Sequence, residues 1–315
     1  MLSVEELQVL VATICNSTTD RSIRSAAERR LQELQSEAGS WRAHIQLLDV
    51  VEDTLLFFVC LGLQRIIWKQ WNSMDVSDQD AIVTTVVNVI ARKSAIIPLF
   101  ARSKLELVLS AICQNSYSFD PVLQLIEAHD QQIVFAGISA LRTILEEVFQ
   151  VDPRLSPSSR EVLIKSVNTI VAPATTLACS VCQACVDART GSVPSLTIAL
   201  SLLKVICGKV ELGPHISPEM LNLLFTIAEL GAVSDNEGGS SLTSGAAAVS
   251  FVDPAVKAVG VLSELMSRRY IPRATVTQAL ASSSSVLLSI PGKDIGAEIL
   301  VDLVVKAINL LQKYR

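Results

Sequence analysis

The chain has 315 residues, of which 50% are hydrophobic, 18% charged and only 4% aromatic, and its formal net charge is −5. A single hydrophobic core rarely serves more than about 250–300 residues, so the chain must divide into domains or extend as a repeat array. The low counts of glycine (13) and proline (11) leave few turn signals for a β-sandwich or a β-barrel. The acidic balance, without a long run of Lys or Arg, argues against nucleic-acid binding.

Helical patterns follow one another along the whole chain. Apolar residues recur at i, i+3, i+4 and i+7 in Leu105–Ile112 and in Leu300–Leu311. Leu55–Ile67 is apolar on two faces, which is typical of a helix packed between neighbours. The predicted helices are 3–16, 20–38, 41–50, 52–71, 77–95, 98–114, 121–128, 131–150, 158–188, 194–210, 217–231, 253–269, 273–289 and 293–314. Their pairing gives units of about 40 residues. We therefore expect an all-α fold, an α-α superhelix (HEAT-type solenoid) of about six to seven helix pairs.

Polar residues mark the expected starts of several helices. A side chain that caps a helix N-terminus is often followed by proline, whose missing N–H would have no helical partner in the first turn. Three residues stand in this position: Asp120, Ser217 and Asp253. Two further segments have the spacing of a capping box: Ser77–Asp80 and Ser158–Glu161.

We expect four segments along the chain. Residues 1–114 and 115–231 are two sets of helical repeats, and residues 253–315 contain further repeats. Residues 232–252 are small and polar without periodicity, which predicts a flexible loop. The last helical pattern runs to the end of the sequence without a polar capping repeat, so we expect a repeat array that is cut short.

One segment is long enough to span a bilayer. Ser166–Val186 carries no charge over 21 residues, but it contains Asn168, Pro173 and Gln183. We interpret it as a helix buried on most sides, not as a membrane span.

The cysteine content and the N-terminal residues predict the compartment. Seven cysteines form an odd set, and the first residues include Glu5 and Glu6 where a secretory signal needs positive charge. Free thiols are typical of reducing compartments, so we expect the cytosol or the nucleus.

Motifs for catalysis or metal binding are weak. Cys179, Cys182 and Cys185 have metal-like spacing, but a fourth ligand is missing and the same positions fit helix packing. His44, His129 and His215 stand in no catalytic motif, and there is no phosphate-binding loop. We predict no catalytic residue, no cofactor and no metal; an enzyme would require a dyad formed across the fold.

The tryptophans form a cluster in an aromatic-poor chain. Trp41, Trp68 and Trp71 are the only three, and all lie in one short region. They either fill a gap between the first helices or form part of a partner-facing edge, where Trp is enriched.

The same region resembles a known family. The segments Ala27–Leu34, Gly39–Arg42 and Leu56–Trp71 resemble the N-terminal part of importin-β-type nuclear transport receptors, the karyopherins. Pro98–Leu105 and Ile138–Phe149 are similar to helices of the exportin group. Later segments are most similar to the exportin that carries profilin–actin: Leu196–Val210, Ile216–Leu230 and Gly260–Pro272. Gln114–Pro121 departs from the family pattern, because it lacks the usual Asp-Trp-Pro turn.

The resemblance implies a nuclear export receptor that shuttles between nucleus and cytoplasm. Its expected partners are Ran-GTP, a protein cargo such as profilin–actin, and nucleoporins, without membrane insertion. In the family the second helices of the first repeats face Ran, which here are Leu55–Trp71 and Leu99–Cys113. Their polar residues are the candidates for Ran contact: Gln64, Arg65, Lys69 and Lys104. A HEAT-repeat scaffold for cytosolic complexes, without Ran dependence, is the alternative.

Overall fold

The structure of the chain is a computed structural model. It describes residues 3–37, 39–149, 156–188, 193–209, 217–237 and 251–267, together with residue 305.

The described residues contain only helices as regular elements, which confirms the predicted all-α fold. In chain order the twelve α-helices of this part of the chain are α1 (Val4–Cys15), α2 (Arg21–Ser36), α3 (Trp41–Val50), α4 (Asp53–Gln70), α5 (Val76–Lys93), α6 (Leu99–Ser116), α7 (Asp120–Ile126), α8 (Gln131–Val148), α9 (Pro157–Ala188), α10 (Val193–Gly208), α11 (Pro218–Glu237) and α12 (Val252–Ser267). A short 3-10 turn, Trp71–Ser73, follows α4. The predicted helices 273–289 and 293–314 lie outside the described residues, except for position 305.

The chain divides into two compact units, residues 1–167 and 168–315, and the division falls within α9. The predicted segment boundary at residue 114 lies inside the first unit. In that unit each odd-numbered helix packs against the next even-numbered one, as helix pairs α1–α2, α3–α4, α5–α6 and α7–α8. In the second unit, α12 packs against both α10 and α11, and Lys257 Nζ donates a hydrogen bond of 2.9 Å to the Ser201 hydroxyl.

The pairs of the first unit stack into two layers. The even-numbered helices contact one another in the order α2, α4, α6 and α8, and we call them the B layer. Of the odd-numbered helices, which we call the A layer, α3 contacts α5 and α5 contacts α7. Stacking of pairs in this way buries a continuous core between the layers, as in helical repeat proteins.

Helix α4 is buried on two sides, as its sequence pattern predicts. Its aliphatic side chains face α3 in the A layer and α2 and α6 beside it, and the buried ones are Leu55, Leu56, Val59, Leu63, Ile66 and Ile67. Gly62 lies where α4 comes closest to the helices before it. A Cβ atom there would stand 2.5 Å from Nε2 of His44 and 2.7 Å from Nε2 of Gln35. Only a residue without a side chain permits this approach.

Of two predicted helix starts, the one at α11 is confirmed and the one at α7 is corrected. The Ser217 hydroxyl accepts a hydrogen bond of 3.2 Å from the Met220 N–H at the start of α11, as expected of a cap. Asp120 was expected to cap α7, but it is the first residue of that helix and makes no capping bond. Its N–H instead donates to the Ser118 hydroxyl over 3.1 Å.

The other predicted starts are wrong by one or two residues. The residue before α5 is Asp75, which places Ser77 inside the helix. At α9 it is Ser156, not Ser158, that accepts a hydrogen bond from the Ser159 N–H, over 3.1 Å. Helix α12 begins at Val252, one residue before Asp253. Neighbouring polar residues compete for the same free N–H groups, so the spacing of a motif cannot select among them.

The end of α11 also differs from the prediction. The helix continues to Glu237, into the first residues of the predicted loop 232–252. The remainder of that loop, up to residue 250, lies outside the described residues.

Helix α9 contains the uncharged segment Ser166–Val186, which is long enough to span a bilayer. Among the described residues it is the one helix long and apolar enough to cross a bilayer, and 39% of its apolar window is buried within the protein. The expectation of burial on most sides is wrong, because only one side is buried. The exposed side carries small polar residues: Asn168, Thr169, Thr176, Ser180 and Gln183. Thr176 and Ser180 donate hydrogen bonds to carbonyls of their own helix.

A buried carboxylate connects α6 to α8. Glu106 is 3% exposed, and its two oxygens accept hydrogen bonds of 2.7 Å each from the hydroxyls of Ser139 and Thr143. Because all three side chains are buried, these bonds satisfy groups that water cannot reach.

We expect Glu106→Ala to lower the free energy of unfolding of the first unit by about 1–3 kcal/mol, because two buried hydroxyls lose their acceptor. Glu106→Gln keeps one acceptor oxygen and should cost less. Urea unfolding followed by tryptophan fluorescence measures this, since all three tryptophans lie in the first unit. Equal stability of the Ala variant and the unmodified protein would contradict the assigned role.

We expect Gly62→Ala to destabilise the first unit by about 1–3 kcal/mol, because the added methyl group overpacks the contact with His44 and Gln35. Gly260→Ala on α12 is the matched control. Its Cβ would meet only Lys204 atoms, at 3.7 Å or more, so the change should be neutral or stabilising. Thermal unfolding followed by circular dichroism compares the two, and an unchanged midpoint for Gly62→Ala would refute the close approach.

Candidate partner-binding surface

Helix α4 has one side that the other described helices cover only in part. The residues of this side are half-buried or exposed: Phe57, Phe58, Leu61, Gln64, Arg65, Trp68 and Lys69. At 3.6 residues per turn they occupy an arc of roughly 140° on the helix. Three of the four predicted contact residues, Gln64, Arg65 and Lys69, therefore lie on one side of one helix. Apolar side chains stand between them, which the sequence analysis did not assign to the surface.

The fourth predicted residue reaches this side of α4 from α6. Lys104 Nζ lies 5.3 Å from the centre of the Phe57 ring, within the range of a cation–π interaction. Phe57 also contacts Phe58 edge-on, with ring centroids 5.4 Å apart, and Phe100 of α6 at 6.4 Å. Phe100 is 48% exposed. We call these α4 residues, together with Phe100 and Lys104, the α4–α6 face.

A groove of about 280 Å³ adjoins the α4–α6 face on the side of α2. Its lining is half apolar and half polar, and consists of Ile14, Glu28, Leu31, Gln32, Gln35, Phe58, Leu61 and Arg65. Phe58 belongs both to this groove and to the aromatic cluster, since it contacts Phe57. The groove and the cluster thus form one continuous surface across α2, α4 and α6.

A buried polar group holds Arg65 at the edge of the groove. Arg65 Nη1 donates a hydrogen bond of 3.3 Å to Oε1 of Gln35, which is 5% exposed. The amide nitrogen of Gln35 faces Gly62, as does Nε2 of His44. His44 is fully buried, and its Nδ1–H donates to the Ser40 carbonyl over 2.9 Å. Burial lowers the pKa of His44, while the bond to Ser40 opposes this shift in part. The imidazole is therefore neutral near pH 7.

The cations of the α4–α6 face have no acidic partner among the described residues. Arg65 bonds only to the Gln35 amide, and Lys69 and Lys104 make no ion pair in the described part of the chain. Elsewhere in the first unit several cations are paired: Arg30 with Glu6, Arg42 with Asp78, and Arg92 and Lys93 with Asp49. The α4–α6 face thus carries three cations whose charge no ion pair neutralises within the described residues.

The tryptophans divide between the two roles considered for them. Trp41 and Trp71 are buried and fill the space between the first helices. Trp68 is half-buried on the α4–α6 face. The cluster in the sequence therefore contains two buried tryptophans and one surface tryptophan, which the sequence alone could not separate.

Residues considered for catalysis or metal binding do not come together in the described residues. Cys182 and Cys185 are buried on α9, and desolvation raises the pKa of both thiols; it raises the pKa of Cys179 to about 11. Within the described residues no three His, Cys, Asp or Glu side chains are grouped as metal ligands would be. His129 is exposed and far in sequence from His44, and His215 lies outside the described residues.

No protein-family model and no curated protein matches the chain. Two crystal structures of engineered proteins from a structural genomics consortium are similar to it. The first is 13% identical with a TM-score of 0.32, and the match covers 98% of this chain and 81% of that one. The second is 12% identical with a TM-score of 0.25, and the match covers 98% of this chain and 97% of that one. Similarity at this level carries no information about function.

We expect the first unit to lose stability as the pH falls below about 6.5, the pKa of a histidine in an unfolded chain. The folded pKa of His44 is lower than this, so the unfolded state binds more protons and the free energy of unfolding decreases with falling pH. Urea titrations followed by tryptophan fluorescence between about pH 7.5 and pH 5.5 test the effect. His44→Asn should flatten the pH dependence in this window, whereas His129→Asn, at an exposed histidine, should preserve it. An identical slope for both variants would contradict the assignment to His44.

Proposed function

We propose that this chain is the N-terminal part of an exportin-type nuclear transport receptor, and that its α4–α6 face binds Ran-GTP. The observation that carries the proposal is that the four residues assigned to Ran by the sequence resemblance share one exposed face. They belong to adjacent helices of the B layer, and they surround aromatic residues. The proposal requires no catalysis by this chain, because Ran itself hydrolyses GTP.

The composition of the face supports a role in protein binding. Interfaces are enriched in aromatic residues and Arg, and binding energy is concentrated in a few such side chains at the centre. Phe57, Phe58 and Leu61 form the apolar centre here, and Arg65, Lys69 and Lys104 surround it. Cations at the rim contribute mainly to the association rate and to the choice of partner.

The transport cycle follows from linkage between two ligands. If cargo and Ran-GTP bind the same receptor cooperatively, each raises the affinity for the other by the same factor, typically 5- to 150-fold. Hydrolysis of GTP would then release both. Among exportins, the segments of the second unit are most similar to exportin six, so profilin–actin is the proposed cargo. Nucleoporins are the proposed transient partners during shuttling between nucleus and cytoplasm.

A HEAT-repeat scaffold for cytosolic complexes is the second candidate. It is favoured by the same apolar and cationic surface, because nothing in that composition requires a GTPase as the partner. The two candidates differ in one property: a scaffold does not distinguish the nucleotide bound to Ran.

We expect the chain to bind Ran loaded with a non-hydrolysable GTP analogue about tenfold or more tightly than Ran loaded with GDP. Isothermal titration calorimetry with the 315-residue chain measures both affinities. Lys69→Gln and Lys104→Gln should each weaken the GTP-form complex roughly two- to fivefold, which is the range for exposed charge pairs.

The matched control is Arg92→Gln, which removes one exposed cation from the A layer. It should leave the affinity unchanged. Equal binding of both nucleotide forms would favour the scaffold, and equal losses for Lys69→Gln and Arg92→Gln would reject the α4–α6 face as the contact surface.

A further inference from the structure

We propose that the groove between α2 and α4, together with the aromatic cluster beside it, binds an acidic segment that carries apolar anchor residues, supplied by a protein partner. This ligand is not Ran itself, and its binding requires neither Ran nor a nucleotide. It occupies the same face, so the inference extends the proposed function with a second, competing ligand.

The shape of the surface gives the positions of the anchors. The groove is lined by apolar side chains of three helices, Ile14 of α1, Leu31 of α2, and Phe58 and Leu61 of α4, and its volume of about 280 Å³ is sufficient for one large apolar side chain. A second anchor site is the outer surface of the contacting rings of Phe57 and the 48%-exposed Phe100, whose centroids are 6.4 Å apart. Leu99, 65% exposed, extends the apolar surface at the start of α6.

The distance between these sites limits the length of the ligand. Packed helices are spaced about 8–10 Å apart, so a ligand that reaches from the α2 side of the groove to α6 spans about 16–20 Å. That distance corresponds to about six residues of extended chain or three to four turns of helix. A short segment of a partner is therefore enough to fill both sites.

The charges of the surface determine the chemistry of the segment. Arg65 lines the groove and uses one N–H for Gln35, which leaves four of the five guanidinium N–H donors for a carboxylate. Lys104 lies beside the second site, on the Phe57 ring, and Lys69 follows Arg65 one turn further along α4. Burial of the apolar anchors next to these cations favours carboxylates between the anchors and disfavours Lys or Arg.

The one carboxylate in the groove orients the segment. Glu28 of α2 lines the wall opposite α4, so negative charge on the ligand is unfavourable there. The acidic residues of the segment must lie on the side of α4 and α6. The surface therefore distinguishes a segment whose acidic and apolar residues are ordered from one with the same composition in another order.

The exposed cations explain why this partner is preferred to a second copy of the chain. The chain carries net charge −5, so like molecules repel one another at long range. At the same time the free cations of the α4–α6 face would lack a complementary surface in a symmetric pair, since the face would meet itself.

The test is the binding of a fluorescein-labelled synthetic peptide of about 12 residues to the full chain, measured by fluorescence anisotropy. In this peptide Leu and Phe at helical spacing are separated by Asp and Glu. Two matched peptides replace either the acidic residues by Lys or the apolar residues by Ser. We expect the first peptide to bind at least about tenfold more tightly than either of the others.

Two variants locate the site. Arg65→Gln removes the cation that lines the groove, and Leu61→Asn removes an apolar wall of the groove; each should weaken peptide binding about fivefold or more. The controls are Arg92→Gln, at an exposed cation of α5, and Ile45→Asn, at a half-buried aliphatic residue of α3; these comparable changes in the A layer should leave the affinity unchanged. Circular dichroism establishes that each variant is folded before its affinity is compared.

The outcomes separate this inference from the proposed function. Similar affinity for all three peptides, no binding, or equal effects of the B-layer and A-layer variants would overturn it. So would concentration-dependent dimerisation that Leu61→Asn abolishes, because the occupant would then be a second copy. Ran-GTP is titrated separately: peptide binding without Ran binding rejects only the receptor proposal, and displacement of the peptide by Ran-GTP is the result expected if both hold.

Discussion

The close approach of α4 to α3 and α2 at Gly62 is the constraint on which the first unit depends. Nε2 of His44 and the amide of Gln35 both face the position where any other residue would place a Cβ atom. The approach keeps His44 fully buried and neutral, and it places Gln35 within reach of Arg65. A single glycine thus joins the packing of three helices to the position of a charged side chain at the surface.

The same approach determines what α4 can present to a partner. Because one part of the helix circumference is used for α3 and its flanks for α2 and α6, the remaining arc must face outward. That arc carries Phe57, Leu61 and Arg65, and α6 adds Phe100 and Lys104 to it. The surface is rigid at its base, since its side chains project from packed helices and not from loops. Rigid placement of this kind lowers the entropic cost of binding.

The sequence predicted the parts of the structure that depend on periodicity. The two apolar stripes of Leu55–Ile67 predicted the two-sided burial of α4, and the predicted boundaries of α1 to α8 agree with the structure within two residues. Periodicity could not show that Phe58 stands at a groove, because a half-buried and a fully buried phenylalanine have the same spacing. It also could not separate Trp68 from Trp41 and Trp71, or identify Ser156 as the acceptor at α9, because both depend on three-dimensional neighbours.

The pairing of charges also depends on three-dimensional neighbours, and in this respect the α4–α6 face differs from the ends of α3 and α5. In the A layer, the carboxylate oxygens of Asp49 lie within 4 Å of Arg92 Nη2 and Lys93 Nζ. These ion pairs connect the end of α3 to the end of α5. Such exposed pairs add little stability, but they neutralise charge where no partner is expected. On the α4–α6 face, Arg65 bonds to the Gln35 amide and Lys104 lies on the Phe57 ring, and neither forms an ion pair in the described part of the chain. A cation next to exposed apolar surface attracts an acidic partner, and this attraction becomes stronger once water is displaced from between the charges. A binding surface requires this arrangement, and a stable core does not.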